Sequence, residues 1–174
     1  MRYHTSTNEL ICASGGKARL FGHSYVGTVH LLLALLEQPG ETGLLLRTMG
    51  AEPALAATLA QLIYGSGTPN LPLPQGLTAK ARELLRLSAR EARQRMSREI
   101  LPIHVLLALA REEHTGAESL LQMFGISRDA LFTQTVEWLR REENAPAKGK
   151  KEAVTTKLLE QFSEDLIVKA SAME

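Results

Sequence analysis

Two histidines, His30 and His104, have the residue type and the repeated setting that could support acid–base or metal chemistry. Each precedes a Leu-rich run, and the two lie 74 positions apart. A metal site or a catalytic histidine needs further polar partners at suitable spacing, yet no second His, Cys or carboxylate recurs near both residues. We therefore expect both imidazoles to connect a buried helix to its neighbours through hydrogen bonds.

Cys12 is the single cysteine of the 174 residues, and no histidine lies at a motif-like distance from it, so a catalytic thiol is not indicated. It cannot form an internal disulfide, and its helical surroundings favour a small buried side chain. No nucleophile, paired carboxylate or Gly-x-x-x-x-Gly-Lys-Ser/Thr phosphate-binding pattern is recognisable. The sequence therefore predicts a chain that is not itself an enzyme and needs no cofactor or metal.

A basic cluster is the strongest local charge feature. It is formed by four arginines spaced by four, four and three residues: Arg82, Arg86, Arg90 and Arg93. Such spacing puts them on one face of a helix, which could dock an acidic partner. The alternative is a solvated face balanced by Glu83 and Glu91. Over the whole chain, 20 Lys and Arg face 19 Asp and Glu, so no net charge indicates nucleic-acid binding.

The segment around His30 recurs around His104, which identifies an internal repeat. Five of the six positions from 30 to 35 are identical after adding 74. The same offset matches Leu10, Ser14 and Ala18 to identical residues before the second histidine. After the histidines the offset becomes 75 and then 76, as single-residue insertions in loops would cause. The chain therefore holds two copies of one unit, the first over 3–64 and the second over 77–140.

Each repeat is predicted to contain four helices, and no stretch alternates at period two, so we expect no sheet. The predicted helices cover 3–20, 29–37, 44–49, 53–64, 78–98, a run from Pro102, a short run before Phe124, and 127–140. The second helix is apolar nearly all round and should be central, with Thr28 as its cap and Gly22 ending the helix before it. The predicted fold class is all-α, with eight helices in two four-helix repeats related by a pseudo-twofold axis.

Three segments lie outside the repeats. Residues 65–76 carry three prolines and three glycines and are predicted to form an exposed connection, on which Leu71 and Leu73 are candidate partner contacts. Residues 142–155 should form a flexible linker, and the apolar residues of 156–174 suggest a stub of something larger. No apolar run resembles a signal peptide or a membrane span, so we expect a cytoplasmic protein with no membrane contact.

The doubled four-helix unit, together with the segment Gly-His-Ser-Tyr-Val-Gly-Thr-Val-His-Leu-Leu-Leu at 22–33, resembles the N-terminal repeat domain of Clp-family unfoldases, closest to the ClpC type. The likeness covers 3–140, and 156–174 resembles the lead-in to the first ATPase module. It implies a non-catalytic domain that receives adaptor proteins and substrates above an ATPase ring, which feeds a Clp peptidase. Since hexamers form through the ATPase modules, the isolated domain should be a monomer.

The family likeness also indicates where partners bind. In that family, the starts of the first helix of each repeat border a groove between the repeats. Together with the basic face, the predicted peptide- or adaptor-binding residues are Tyr3, Leu77, Thr78, Arg82, Arg86 and Arg90. The alternative is that Tyr3 and Leu77 only close the ends of the bundle. Trp138 is predicted to belong to the core.

One departure from the family bears on ligand choice. ClpC-type domains that bind phosphorylated arginine carry an acidic residue just before the motif histidine of each repeat, where this chain has Val29 and Ile103. Neither side chain can pair with a guanidinium. Of the threonines that flank the family's pockets, Thr78 is kept, whereas His4 stands at the matching place in the first repeat. These departures argue against phosphoarginine binding. A different function also stays open, that of a stand-alone Clp-repeat protein that modulates a protease without ATPase modules.

Overall fold

A computed structural model of the protein describes residues 1–65, 67 and 76–143. Two short strands and eight helices occur within these residues. In chain order they are β1 (Arg2–Tyr3), α1 (Thr5–Leu20), α2 (Thr28–Glu37), α3 (Glu41–Thr48), α4 (Pro53–Tyr64), α5 (Ala79–Gln94), β2 (Glu99–Ile100), α6 (Pro102–Arg111), α7 (Gly116–Gln122) and α8 (Arg128–Glu143). The predicted all-α class and the order of eight helices are confirmed.

The helix ends differ from the predicted ones where a cap or a strand intervenes. α4 covers the predicted range, with Pro53 in its first turn. α1 begins two residues late, because residues 2–3 are extended in β1. α5 ends at Gln94 rather than near 98, and Met96 just beyond it has a φ of 61°, a left-handed conformation that a helix cannot continue through.

The expectation of no sheet is wrong at one place. β1 pairs in parallel with β2, with Arg2 opposite Glu99 and Tyr3 opposite Ile100. A second parallel bridge joins Val26 to Leu77. Both contacts are too short to show an alternating pattern of apolar residues, so periodicity could not reveal them.

These two contacts are copies of each other under the 74-residue offset, which turns Tyr3 into Leu77 and Val26 into Ile100. The hydrogen bonds match as well: the His4 amide donates to the Ile100 carbonyl at 3.0 Å, and the Thr78 amide donates to that of Val26 at 2.9 Å. The leading residues of each repeat therefore pair with the other repeat.

The core is built around α2 and α6, which occupy equivalent positions in the two repeats. Every residue from 28 to 36 and from 103 to 110 is buried, as the nearly all-apolar composition of α2 predicts. α1 packs on α2, and α5 packs on α6. Burial of these leucine-rich helices supplies the main apolar driving force of the fold.

The two central helices begin in the same way. α6 starts at Pro102 as predicted, whereas the predicted cap of α2 is wrong. Gly27 rather than Thr28 is the N-cap of α2; the buried Thr28 hydroxyl instead accepts from the Ala117 amide at 3.2 Å. His30 Nδ1 accepts from the Gly27 amide at 2.9 Å. Its copy, His104 Nδ1, accepts from the amide at the start of α6 at the same distance. Each histidine thus satisfies a backbone donor that helix geometry leaves unpaired.

Two predictions concern α1, namely the burial of Cys12 and the glycine at its end. Cys12 is exposed, so the prediction of a buried cysteine is wrong: the buried face holds Leu10, Ser14 and Ala18, and a residue two positions after Leu10 points away from it. Gly22 does follow the end of α1 as predicted, with the φ of 72° that glycine adopts without strain.

The contacts divide the chain into two compact units, Met1–Thr135 and Val136–Glu174, with the boundary inside α8. Trp138, predicted to belong to the core, is half-buried. Leu71, Leu73, all but the first residues of the predicted linker, and the stub over 156–174 lie outside the described residues. Among the described helices, none is both long and apolar enough to cross a membrane.

Candidate functional site

A groove of about 340 Å³ lies where the two repeats meet, and we call it the seam groove. Its lining residues are Met1, Tyr3, Leu77, Arg82, Leu85, Arg86, Ala89 and Ile100. The strand pair contributes Tyr3 and Ile100, and one face of α5 contributes Arg82, Leu85, Arg86 and Ala89. Met1 and Leu77, just before β1 and α5, complete the lining. Because both repeats supply residues, the groove exists only in the duplicated fold.

Local hydrogen bonds hold the α5 wall of the seam groove in place. The Thr78 hydroxyl caps α5 by accepting from the Ala81 amide at 3.1 Å. Arg82 Nη1 donates to the Leu77 carbonyl at 2.8 Å, so its side chain folds back over the start of the helix. Arg86 Nη1 lies 2.6 Å from the Glu83 carboxylate. The basic groups at the rim of the groove are thereby oriented without being buried.

Tyr3 forms the aromatic part of the groove. Burial raises the pKa of its hydroxyl above the ordinary tyrosine value, since a phenolate loses hydration there. The side chain is therefore a neutral, partly apolar surface that can also donate a hydrogen bond.

The predicted site residues fall into three places. Tyr3, Leu77, Arg82 and Arg86 come together in the seam groove. Thr78 lines a different cavity. Arg90 is exposed on α5, two turns after Arg82 and outside the lining of the groove. Leu85, Ala89 and Ile100 were not predicted; the apolar spacing of 85 and 89 beside the arginines was the available signal.

The larger cavity, of about 560 Å³, lies at the N-termini of α2 and α5, and we call it the histidine cavity. It is lined by His23, Tyr25, Gly27, Thr28, Val29, His30, Tyr64, Thr78, Ala79, Lys80 and Gly116. Val29 from the first repeat and Thr78 from the second therefore share one cavity. The sequence indicated those two residues, but not Tyr64, at the end of α4, or Lys80, in the first turn of α5.

A chain of hydrogen bonds fixes the two histidines of this cavity. Since His30 Nδ1 accepts from a backbone amide, the ring proton is on Nε2, which donates to His23 Nδ1 at 2.8 Å. His23 Nε2 then donates to the Gly65 carbonyl at 2.8 Å. Burial and then the neighbouring His23 lower the pKa of His30 to about 4. His30 is held as a neutral hydrogen-bonding group, which confirms the structural interpretation of this residue.

His104 has the same backbone acceptor role in the second repeat. Burial and then Arg95 lower its pKa to about 4, so it is neutral near pH 7. Within the described ranges, no three His, Cys, Asp or Glu side chains are placed so that they could hold a metal ion.

Side-chain contacts close the other walls of the histidine cavity. The Tyr64 hydroxyl at the end of α4 donates to the Gly116 carbonyl at 3.1 Å. Lys80 Nζ donates to the Glu113 carbonyl at 3.1 Å and lies 3.7 Å from the Glu112 carboxylate. Among the described residues that line this cavity, Lys80 is the one cation, and it already has acceptors.

The sequence of this chain matches the family model of the Clp repeat (R) N-terminal domain over residues 2–72 and 76–165. The chain belongs to this family. The family resemblance inferred from the doubled unit and the His30 segment is therefore confirmed. The Clp N-terminal domain is a fold without catalytic machinery of its own, and it forms the N-terminal part of Clp ATPases.

Relatives and solved structures agree with this assignment. The chain is 29% identical over 171 residues to the ATP-dependent Clp protease ATP-binding subunit ClpA homolog of Guillardia theta, covering 98% of this chain and 21% of that protein. It is 30% identical over 149 residues to the chaperone protein ClpC1, chloroplastic, of Oryza sativa subsp. japonica, covering 85% and 16%. The chain thus spans about a fifth or less of the length of these relatives.

The N-terminal domain of the chaperone ClpD from Arabidopsis thaliana superposes with a TM-score of 0.68 at 19% identity, covering 79% of this chain and 97% of that one. The Hsp104 N-terminal domain from Candida albicans gives a TM-score of 0.64 at 18% identity, covering 79% and 91%. At these identities the likeness concerns the fold, and it is the fold of a Clp N-terminal domain.

Proposed function

We propose that this domain recognises adaptor proteins and protein substrates for a ClpC-type ATP-dependent unfoldase, which passes them to a Clp peptidase. The seam groove is the contact site in this proposal. Nucleotide hydrolysis and peptide-bond cleavage then belong to other modules and subunits. The domain's contribution is selective binding, which raises the local concentration of a chain near the unfolding machinery.

The observation that carries the proposal is that the seam groove is apolar on its floor and basic at its rim. Leu85, Ala89 and Ile100 offer a surface for an apolar side chain, while Arg82 and Arg86 stand beside it. Such a combination of a small apolar depression and a few oriented polar groups is typical of ligand-binding sites. Its position between the repeats also matches the place where the family's binding groove is expected.

The test uses the full-length unfoldase in a degradation assay with its peptidase. Removal of residues 1–141 should leave basal ATP hydrolysis intact and abolish adaptor-dependent degradation. The variant Tyr3→Ser with Leu77→Ser should reduce degradation strongly, because it removes two of the groove's larger side chains. Leu62→Ser is the matched control, since Leu62 is 75% exposed on α4 and lies outside the groove. Unchanged degradation after the deletion would refute the proposal.

A further inference from the structure

An arc of arginines runs along α5 beside the seam groove, and we call it the arginine arc. It consists of Arg82, Arg86, Arg90 and Arg93. At about 100° per residue, the four positions fall within roughly 80° of the helix circumference. All four side chains are exposed, and the first two also line the groove. Apolar wall and basic arc are therefore neighbouring strips of one helix.

The arginine arc has little counter-charge on its own surface. Arg86 pairs with Glu83, and Arg82 donates to a backbone carbonyl. Within residues 1–65, 67 and 76–143, neither Arg90 nor Arg93 has an ion pair or a side-chain hydrogen bond. Three of the four guanidinium groups thus have no carboxylate partner in the described part of the chain.

Glu91, which the sequence suggested as a balancing charge, does not neutralise the arc. Its side chain is 3% exposed and pairs with Arg111 on α6, and Arg95 Nε lies 3.8 Å away. It points into the α5–α6 interface, on the side of α5 opposite to the arc. Of the two glutamates that the sequence suggested as balancing charges, only Glu83 pairs with an arginine of the arc.

The first repeat shows that the fold does not require the arc. The positions 74 residues earlier on α1 are Asn8, Cys12, Gly16 and Arg19, of which three are uncharged. α1 nevertheless packs on α2 as α5 packs on α6. Arginine favours a helix more than the residues at the matching positions of α1 do, but like charges four residues apart repel each other and offset part of that gain. The clustering of all four arginines on one face is therefore not required by the packing of the helix.

We infer that the arginine arc and the seam groove together bind an acidic segment of a partner protein, in which Glu or Asp side chains flank an apolar residue. The apolar residue lies in the groove against Leu85 and Ala89. The carboxylates pair with Arg90 and Arg93 further along α5. The acidic specificity rests on the proposed function, because it names the chemistry of the segment that the groove receives.

A nucleic acid is the other polyanion that four arginines could attract, but the surroundings favour a peptide. The formal net charge of +1 provides no long-range attraction for a polyphosphate. Apart from the half-buried ring of Tyr3, the groove wall beside the arc is aliphatic, through Leu77, Leu85, Ala89 and Ile100. Single-stranded nucleic acids use stacking platforms of exposed aromatic rings instead.

The test is fluorescence anisotropy on the complete 174-residue chain with a labelled peptide of repeated Glu-Glu-Leu-Glu-Glu units. A second peptide has Gln in place of every Glu, and a third probe is a single-stranded oligonucleotide. At low salt, we expect the glutamate peptide to bind about tenfold more tightly than the glutamine peptide. The variant Arg90→Gln with Arg93→Gln should weaken it about tenfold, as the loss of two charge pairs implies.

The matched control, Arg19→Gln with Arg140→Gln, removes the same charge outside the arc and should change the affinity less than twofold. An equal loss of affinity in the control would overturn the proposal, because it would show that binding depends on the net charge of the chain and not on the arc. Tighter binding of the oligonucleotide than of the glutamate peptide would overturn it in favour of nucleic acid. If both peptides bind equally and Tyr3→Ser with Leu77→Ser abolishes both, the acidic specificity is wrong while the proposed function stands.

Discussion

The α1–α2 and α5–α6 interfaces occupy equivalent places in the two repeats but carry opposite charges. In the first, Lys17 Nζ on α1 lies 2.5 Å from the Glu37 carboxylate on α2. At the positions 74 residues later, Glu91 on α5 pairs with Arg111 on α6. Both helix pairs therefore have an ion pair at the same site, but the positive and negative residues are on opposite helices. The fold depends on complementary charges at this site and not on which helix carries which charge.

The two ion pairs also differ in burial. The Lys17 side chain is 17% exposed and that of Glu91 is 3% exposed. In the second repeat, Glu91 Oε1 and Arg95 Nε are buried without a hydrogen-bond partner. A buried carboxylate depends more on its cations than a partly hydrated ammonium does on its anion. The two equivalent ion pairs thus differ in the desolvation of their charged groups as well as in which helix carries the negative charge.

The largest expected effect on stability comes from replacing the less exposed residue of each ion pair, Glu91 or Lys17. Glu91→Ala should lower the free energy of unfolding by about 2 kcal/mol, because it leaves two cations at the α5–α6 interface, although Arg111 can turn toward water. Lys17→Ala should cost less than about 1 kcal/mol, as a more exposed pair does. Urea unfolding followed by circular dichroism measures both. Equal losses would contradict the comparison.

A charge exchange provides the control for that pair. Glu91→Lys combined with Arg111→Glu copies the arrangement of the first repeat into the second. It should recover at least half of the stability that Glu91→Lys alone removes, because the pair is restored with its ends reversed. A double variant that is no more stable than Glu91→Lys would show that Arg95 fixes the direction of charge at this site.

The next effect concerns ligand binding at the equivalent residues Val29 and Ile103. Free phosphoarginine should bind the unmodified chain too weakly to saturate it. Val29→Glu should raise the affinity about tenfold by supplying a carboxylate for the guanidinium. Ile103→Glu should raise it less, because Thr78 shares the cavity of Val29 whereas His4 stands at the corresponding place for Ile103. Isothermal titration calorimetry measures the three affinities.

Two outcomes would change that interpretation. Tight binding by the unmodified chain would mean that the histidine cavity recognises the ligand through groups other than an acid before the motif histidine. No binding even by the Val29→Glu, Ile103→Glu double variant would mean that the cavity has lost the shape of the family's pocket, and not only its charge.

The smallest effect is on pH dependence, where the two repeats should behave alike. His30 and His104 have pKa values near 4 in the fold, below the value of about 6.5 of an unfolded chain. The unfolded state therefore takes up more protons below pH 6.5, so stability is full above that pH and falls as the pH drops toward 4. We expect a loss of about 1.5 kcal/mol per histidine between pH 6.5 and pH 5.

The variant His30→Gln with His104→Gln tests the origin of that loss. Glutamine at this helical position can still accept from the backbone amide that the imidazole now satisfies, but it does not titrate. Urea unfolding at pH 7.5 and pH 5 should show a smaller difference for the variant. An unchanged difference would assign the pH dependence to other groups.

Much of the fold could be predicted because its signals are local or repeated. The apolar run of α2 and its copy in α6 indicated two central helices, and Pro53 marked the start of α4. The 74-residue offset also related His30 to His104, whose matching hydrogen bonds the structure shows. Such features depend on neighbours within a few residues along the chain.

The rest depended on contacts between distant residues. The β1–β2 pair joins residues 97 positions apart, and two-residue strands leave no periodic pattern. The burial of Glu91 could have been predicted from its own helix, because it lies seven residues after the buried Leu84 and opposite the arginines. Only its pairing with Arg111 depended on the contact with α6. For the candidate site, the sequence indicated Tyr3, Leu77 and the arginines, but the aliphatic wall needed the packing of α5 against β2.

The reciprocal strand contacts have a consequence for a single repeat in isolation. Residues 1–65 alone would leave the Val26 carbonyl without the Thr78 amide and the His4 amide without the Ile100 carbonyl. Two copies of such a half could supply each other's missing partners through one twofold axis, as an isologous dimer does. In this chain, one covalent connection replaces that dimerisation, and folding no longer depends on protein concentration.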